Sequence, residues 1–165
     1  MYTEYQPSHL LVPYIDNYWE FKGNPDYGMR IHILPDGCTD FIFTLGEVAN
    51  AVEEGSLIMQ PYRSYFVGPM TKYSELVTYT ESIHMFGVRF LPCGLSCFTN
   101  LPLHEFVNSR VSTNEMKAVF DDTFIERLCE QKHIADRIRV VEEYLLAYLA
   151  RHYRPADSHV ASEHD

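Results

Sequence analysis

Short segments in the first half of the chain alternate apolar side chains with other residues at a period of two, which is typical of β-strands. Residues 29–34 and 39–45 both follow this pattern. Between them, the sequence Pro35-Asp36-Gly37 favours a tight turn, because proline fixes φ and glycine tolerates a positive φ. The two segments therefore predict a β-hairpin.

Further segments have strand character, namely 64–67, 73–80 and 83–90. Residues 14–21 are ambiguous, since their aromatic side chains fit either helical spacing or an edge strand. Many short strands at such intervals predict a β-barrel or a jelly roll.

The hydrophobic period changes after Pro92 to that of helices. A first helix is predicted to begin near Asp121, because Phe124 and Leu128 recur at a spacing of four behind an aspartate suited to a helix start. The longest helical pattern covers residues 133–152. The C-terminal part of the chain is therefore predicted to be helical.

The predicted helix over 133–152 carries an apolar stripe with heptad-like spacing. Its members are Ile134, Ile138, Val141, Leu145 and Tyr148. Such a stripe is covered either by the body of the same chain or by the matching helix of a second copy. Because monomers rarely expose such a patch, we predict a homodimer built partly on these residues. Arg137 is expected to lie off the stripe.

Composition and charge limit the classes of partner. Apolar residues make up 46% of the chain, charged residues 22% and aromatic residues 14%, which indicates a globular and β-rich body. The formal net charge is -10. Nucleic-acid affinity comes largely from Lys and Arg that displace counterions from phosphates, so no DNA binding by this chain is predicted. The same charge opposes attraction to anionic membrane surfaces.

The cysteines and the N-terminus indicate a cytoplasmic protein. Cys38, Cys93, Cys97 and Cys129 form no Cys-x-x-Cys pair, and the chain opens without the apolar core of a signal peptide. No apolar run approaches the roughly 20 residues that a membrane span needs. We therefore expect a cytoplasmic chain with reduced thiols and no membrane partner.

The string from Leu34 to Phe43 is the most distinctive in the sequence. Asp36, Cys38 and Asp40 lie close together in it, as they would at an active-site turn. A cysteine nucleophile needs a neighbouring base, however, and nothing in the sequence places a histidine beside this one. The favoured interpretation is a structural turn in which the two aspartates cap backbone N–H groups around a glycine. No catalytic residue is predicted.

Histidines in the strand region are the candidates for metal or ligand binding. A metal site would draw on His32, His84 and Asp36, but the His-x-His pattern with later Glu and His ligands is missing. No metal and no other cofactor is therefore predicted. Alternation places His84 on the strand face that also carries apolar residues, where it is either a pocket contact or an interior residue. The predicted ligand-binding residues are His32, His84, Phe86 and Val88.

Five strings, in order, resemble the sensor domain that precedes the helix-turn-helix module in one branch of AraC-type bacterial regulators. They are Pro7-Ser8 with Tyr14-Ile15 and Tyr18-Trp19, the Leu-Pro-Asp-Gly-Cys-x-Asp string at 34–40, Val67-Gly68-Pro69, the Gly-Val-Arg-Phe-x-Pro string at 87–92, and Leu101-Pro102 with Glu105-Phe106. The predicted structural motif within these strings is Pro35, Asp36, Gly37, Asp40 and Arg89. One departure is Cys93, where that group commonly has glycine.

The resemblance implies a cupin-like barrel followed by helices, feeding a DNA-binding domain that lies outside this sequence. We therefore predict an α+β fold: a jelly-roll type β-barrel over 1–92, a helical dimerisation segment over 93–153 and a linker over 154–165. The implied function is effector sensing, dimerisation or both, in the control of transcription. It implies a non-enzymatic chain with a small-molecule effector as partner. The alternatives are a small cupin-type enzyme or metal-binding barrel, and a dimerisation module that binds no ligand.

Overall fold

The computed structural model describes most of the chain. The described residues are 2–23, 30–33, 36–45, 51–53, 60, 62–71, 74–78, 83–113 and 119–152. Within them lie nine β-strands, two short 3-10 turns and two α-helices, which makes an α+β fold. The strands are β1 Tyr2–Tyr5, β2 Ile15–Gly23, β3 Arg30–Ile33, β4 Thr39–Thr44, β5 Ala51–Glu53, β6 Ser64–Val67, β7 Ser74–Thr78, β8 Ile83–Phe90 and β9 Arg110–Ser112. For β3, β5 and β7 only the backbone is described.

Six strands form one antiparallel sheet in the order β1-β2-β8-β4-β6-β9. All six residues of β4 are buried, as expected of a central strand that is covered on both faces. The prediction of strands at 64–67 and 83–90 is confirmed at the same boundaries. The ambiguous segment 14–21 is a strand, β2.

The hairpin predicted from 29–34 and 39–45 is wrong. The strand β3 belongs to a second, three-stranded sheet in the order β3-β7-β5, in which it pairs with β7. Both edges of β4 are occupied, one by β6 and the other by β8, so no backbone groups of β4 remain for β3. The turn sequence between the two segments therefore joins two sheets.

Two helices follow the strands. Helix α1 spans Asp122–Glu130, and its N-terminus is capped by Asp121, whose carboxylate accepts a hydrogen bond of 2.8 Å from the Phe124 N–H. Helix α2 spans Ile134–His152. Both helices agree with the sequence pattern to within a residue or two.

The helices pack on one face of the six-stranded sheet and complete its larger core. Val141 and Leu145 of α2 are fully buried there, and Ile134, Ile138 and Tyr148 pack against the same cluster. The predicted dimer interface is therefore corrected for Val141 and Leu145, which the chain's own core covers, whereas Ile134, Ile138 and Tyr148 are only half-buried and stay a prediction. The two buried side chains are unavailable to a second copy.

The opposite face of the sheet carries a second buried cluster. Its members are Trp19, Phe21, Ile42, Tyr65, Val67, Met70, Ile83 and Met85. Strands β2, β4, β6 and β8 thus bury apolar side chains on both faces.

The predicted change from strands to helices at Pro92 is not a boundary of the fold. Strand β9 lies beyond it and pairs with β6 at the edge of the large sheet. Helix α2 shares its core with residues of β2, β4 and β8. Strands and helices therefore form one packed unit.

Candidate functional site

Three of the sequence strings meet on the large sheet in a buried polar cluster of Trp19, Asp40 and Arg89, here called the motif cluster. Asp40 lies opposite Arg89 across the β4–β8 pair. Its carboxylate accepts hydrogen bonds of 3.0 Å from the Trp19 indole N–H and 3.2 Å from Arg89 Nε. A buried charge requires such compensation, and here it comes from the adjacent strand β8 and from β2, the next strand beyond it.

Gly87 makes the motif cluster possible. It lies opposite Trp19 across the β2–β8 pair, and a Cβ atom built on it would come within 1.9 Å of the indole ring. The missing side chain therefore leaves the space in which the Trp19 ring lies over the sheet and reaches Asp40.

Burial raises the pKa of Asp40, while the Arg89 guanidinium and the Trp19 N–H oppose that rise by stabilising the carboxylate. Asp40 is only 6% exposed. Because Trp19 and Arg89 both donate hydrogen bonds to its carboxylate, Asp40 is suited to holding β2, β4 and β8 together. Its hydrogen bonds within the described part of the chain all come from side chains and none from a backbone N–H, which corrects the prediction for this residue.

The turn before β4 has the predicted conformation at its glycine. Gly37 has a φ of 77°, in the left-handed region, and Asp36 accepts a hydrogen bond of 3.0 Å from the Cys38 N–H. Pro35 lies outside the described residues. Burial, reinforced by the charge of Asp36, raises the pKa of the Cys38 thiol to about 12. The thiol therefore stays protonated near neutral pH, which is the state of an unreactive cysteine.

A second polar cluster, here called the staple, joins the sheet to the helices. Glu20 of β2 accepts a hydrogen bond of 2.9 Å from His84 Nε2 on β8 and one of 3.1 Å from Arg137 Nη1 on α2. Arg137 also donates to the backbone oxygen of Gln131, just after α1, at 3.0 Å. The staple thus links β2, β8 and both helices.

The staple holds its histidine neutral. Burial lowers the pKa of His84, and the Arg137 guanidinium acts in the same direction, although the hydrogen bond to Glu20 opposes them. The charge of Glu20 is already balanced by Arg137, which is 5% exposed. Neutral His84 therefore serves as a donor to Glu20 through Nε2.

A third contact joins α2 to the N-terminal segment. Glu142 accepts hydrogen bonds of 3.0 Å from the Tyr18 hydroxyl and 2.9 Å from the Ser8 N–H. Burial and the Glu142 carboxylate raise the pKa of Tyr18, which stays a neutral donor. Together with the staple, this contact fixes one side of α2 at two points, one turn or more apart.

Two of the predicted ligand-binding residues lie in the packed core. Phe86 and Val88 are fully buried in the core beneath the helices, and the Phe86 ring stacks with that of Tyr18. Both residues therefore belong to the core cluster of the sheet and helices. His84 lies on the same face but belongs to the staple. His32 lies in β3, and its side chain is outside the described residues.

A polar cleft of about 240 Å³ lies elsewhere, at the edge of the large sheet. It is lined by Tyr62, Arg63, Ser64, Ser112, Thr113, Asp122, Ile125 and Glu126. The cleft combines residues at β6, at β9 and in α1, which are distant in sequence. Only the four-residue spacing of Asp122 and Glu126 could have been seen in advance.

Sequence reasoning also missed the staple. Arg137 was expected off the apolar stripe, yet it precedes Val141 by four residues and Leu145 by eight, which places all three on one helix face. Its burial follows from that spacing. The partner, Glu20, lies 117 residues away, and no local pattern signals the pairing.

Two kinds of feature are absent from the described part of the chain. No group of three His, Cys, Asp or Glu side chains lies close enough there to hold a metal ion. No helix in those residues is both long and apolar enough to cross a membrane.

Comparison with known proteins gives one family. No curated protein matches the chain. The family model that matches carries the description "Domain of unknown function (DUF6597)" and covers residues 3–112. This segment begins in β1 and ends with β9, so it contains the whole motif cluster and stops before the two helices. The chain therefore belongs to the family described as DUF6597.

Proposed function

We propose that the chain is the effector-sensing and dimerisation domain of an AraC-type transcription regulator. In this proposal the two sheets face each other in a cupin-like jelly roll. The supporting observation is the motif cluster, since Trp19, Asp40 and Arg89 come from three of the five strings that resemble that group.

Residues from three of these strings contact one another in the folded chain, which supports the resemblance on physical grounds. Trp19 and Arg89 lie 70 positions apart in the sequence, yet both donate to the same buried carboxylate. Each partner needs the others, because any one alone would leave a buried charge or donor unsatisfied. Shared strings that build one interdependent cluster favour a shared fold over chance similarity, although fold alone does not specify function.

Helix α2 is suited to pass a signal from the sheet. It is the last described element, and it is joined to β2 and β8 by the staple and to the N-terminal segment by Glu142. A ligand that moves the sheet would therefore change the position of α2. The mechanism is an equilibrium between two arrangements of sheet and helices, biased by the differential affinity of the effector.

The proposed regulator acts as a homodimer. Two copies would hold two DNA readers together and raise their effective concentration on paired half-sites. Because Val141 and Leu145 are covered within the chain, the dimer contact does not include these two residues. The acidic chain itself, with a formal charge of -10, leaves DNA contact to the attached domain.

The reading frame that encodes this chain provides a direct test. Continued past Asp165, it should encode two helix-turn-helix units, each with a recognition helix suited to the major groove. A continuation that encodes a catalytic domain, or a frame that stops within the linker, would contradict the proposal. The alternative function is that of a small cupin enzyme. Metal analysis of the purified chain tests this alternative, because such an enzyme would contain a bound metal ion.

A further inference from the structure

The cleft at the sheet edge is built from a rigid floor and a charged rim. Ser64 and Thr113 form the floor, where their buried hydroxyls are hydrogen-bonded to each other and join the ends of β6 and β9. Ile125 of α1 adds a half-buried apolar wall. The rim carries the guanidinium of Arg63 and two carboxylates of α1, those of Asp122 and Glu126.

The charges of the rim do not neutralise one another. Among the described residues, neither the Arg63 guanidinium nor the carboxylates of Asp122 and Glu126 make an ion pair or a side-chain hydrogen bond. The other exposed charges of α1 include Arg127, which pairs with Glu143 at 2.9 Å. A cation and two anions thus line one cavity without a partner among the residues that the structure describes.

The segment that carries Arg63 is held firmly. Thr44 of β4 donates its N–H to the Arg63 oxygen at 3.0 Å and accepts the Arg63 N–H on its hydroxyl at 3.0 Å, and its backbone oxygen accepts the Tyr62 N–H at 2.9 Å. Tyr62 has a φ of 55°, which is unfavourable for a residue with a side chain, and its ring is half exposed at the cleft. These contacts fix the backbone from which the Arg63 and Tyr62 side chains extend at the cleft.

We infer that this cleft binds a free α-amino acid with a basic side chain. The ligand carboxylate would take the bidentate geometry that the Arg63 guanidinium favours. The two cationic groups of the ligand would face Asp122 and Glu126, and the Tyr62 ring would add a cation–π contact. Ile125 would contact the aliphatic stem. The cleft has one positive and two negative side chains, and the ligand has the complementary set of one negative and two positive groups.

The inference goes beyond the role in transcription, since binding requires only the folded chain. The probes are L-arginine, L-citrulline, which lacks the side-chain cation, and agmatine, which lacks the carboxylate. Calorimetric titration of the purified chain should give saturable binding of L-arginine. Citrulline and agmatine should each bind about tenfold more weakly, the loss expected for one charged hydrogen-bonding group.

Variants assign the binding to the cleft. Glu126→Gln should weaken L-arginine about tenfold, whereas Glu130→Gln, the same change at an exposed position of α1 outside the cleft, should leave affinity unchanged. Arg63→Gln should weaken L-arginine about tenfold but leave agmatine unaffected, because agmatine has no carboxylate to lose a partner. Arg63 is exposed, so the Arg63→Gln variant is expected to fold. It therefore still tests the inference if the Glu126→Gln variant fails to fold.

Two results would overturn the inference. One is the absence of saturable binding at L-arginine concentrations up to about 10 mM, which exceeds the dissociation constant of even a weak specific complex. The other is an equal loss in Glu126→Gln and Glu130→Gln, which would indicate general attraction of a cation to an acidic surface.

Discussion

Single residues of the motif cluster have roles that sequence could name only in part. Asp40 and Arg89 were predicted as structural motif residues, and Gly37 was predicted to have a positive φ, because turn chemistry is local. The hydrogen bond from Trp19 to Asp40 joins strands that are neighbours of β8 but not of each other. Only the sheet order reveals it.

Gly87 and Gly37 should respond differently to alanine. Gly87→Ala should lower the free energy of unfolding by about 3 kcal/mol, because a Cβ atom at 1.9 Å from the Trp19 ring forces the indole off Asp40. Gly37→Ala should cost only about 1 kcal/mol, from its φ of 77°, since the nearest atom to a Cβ there is 3.5 Å away. Urea unfolding measures both, and a Gly87→Ala variant as stable as the parent would refute the placement of Trp19.

Cys93 carries the conformation of a glycine. It is exposed and has a φ of 69°, in the left-handed region, at the position where the resembling regulators commonly have glycine. Cys93→Gly should therefore raise the free energy of unfolding by up to about 1 kcal/mol. Cys97→Gly is the control, since it removes an exposed cysteine from a short 3-10 turn and should destabilise. Destabilisation by both variants would contradict the strain at Cys93.

At the scale of elements, periodicity located helices and buried strands but not their partners. Helix α2 and strands β6 and β8 were predicted at nearly their observed boundaries, because their burial imposes a regular pattern. The edge strands β1 and β9 were missed, as each is short and pairs on one side only. The pairing of β3 with β7 was missed because register and sheet membership are set by contacts between distant segments.

The stripe of α2 should behave as core. Leu145→Glu should unfold the chain or lower its free energy of unfolding by about 4 kcal/mol or more, since it buries an unpaired charge. Ala147→Glu, on an exposed position of the same helix, should change stability by less than about 0.5 kcal/mol. Circular dichroism with sedimentation decides the matter. A folded Leu145→Glu monomer from a dimeric parent would restore the stripe as an interface.

The staple makes stability depend on pH through His84. Burial lowers the pKa of His84 in the folded chain. Just below the ordinary histidine pKa, His84 is therefore protonated in the unfolded chain but still neutral in the folded chain. The contribution to stability is therefore present at neutral pH and is lost as the pH falls toward the lowered pKa. The groups that face His84 are Glu20, Arg137 and Lys22.

The matched variant is His84→Gln, which keeps a donor toward Glu20 but does not titrate. Between about pH 7.5 and about pH 5.5, which brackets the ordinary histidine pKa, the parent should lose more stability than this variant. Urea unfolding at both pH values gives the comparison. An equal loss in the two proteins would show that His84 titrates as it does in the unfolded chain.

At the scale of the whole molecule, one core unites the sheet and helices, and the family match ends where the strands end. Composition predicts weak affinity for DNA, because the formal net charge of -10 follows directly from the sequence. It could not reveal the cleft, which gathers residues at β6, at β9 and in α1. A sensor needs both features in this account: a place for a ligand and a rigid connection from the sheet to the last helix.

The central claim, that the chain brings two DNA readers together, is tested by fusing it through its C-terminus to a monomeric helix-turn-helix domain. Operator affinity of the fusion is then measured by gel shift on paired half-sites, beside the reader alone and the isolated chain. The account predicts binding at least about a hundredfold tighter for the fusion than for the reader, and no shift by the chain itself. A fusion that binds no better than its reader would contradict the account.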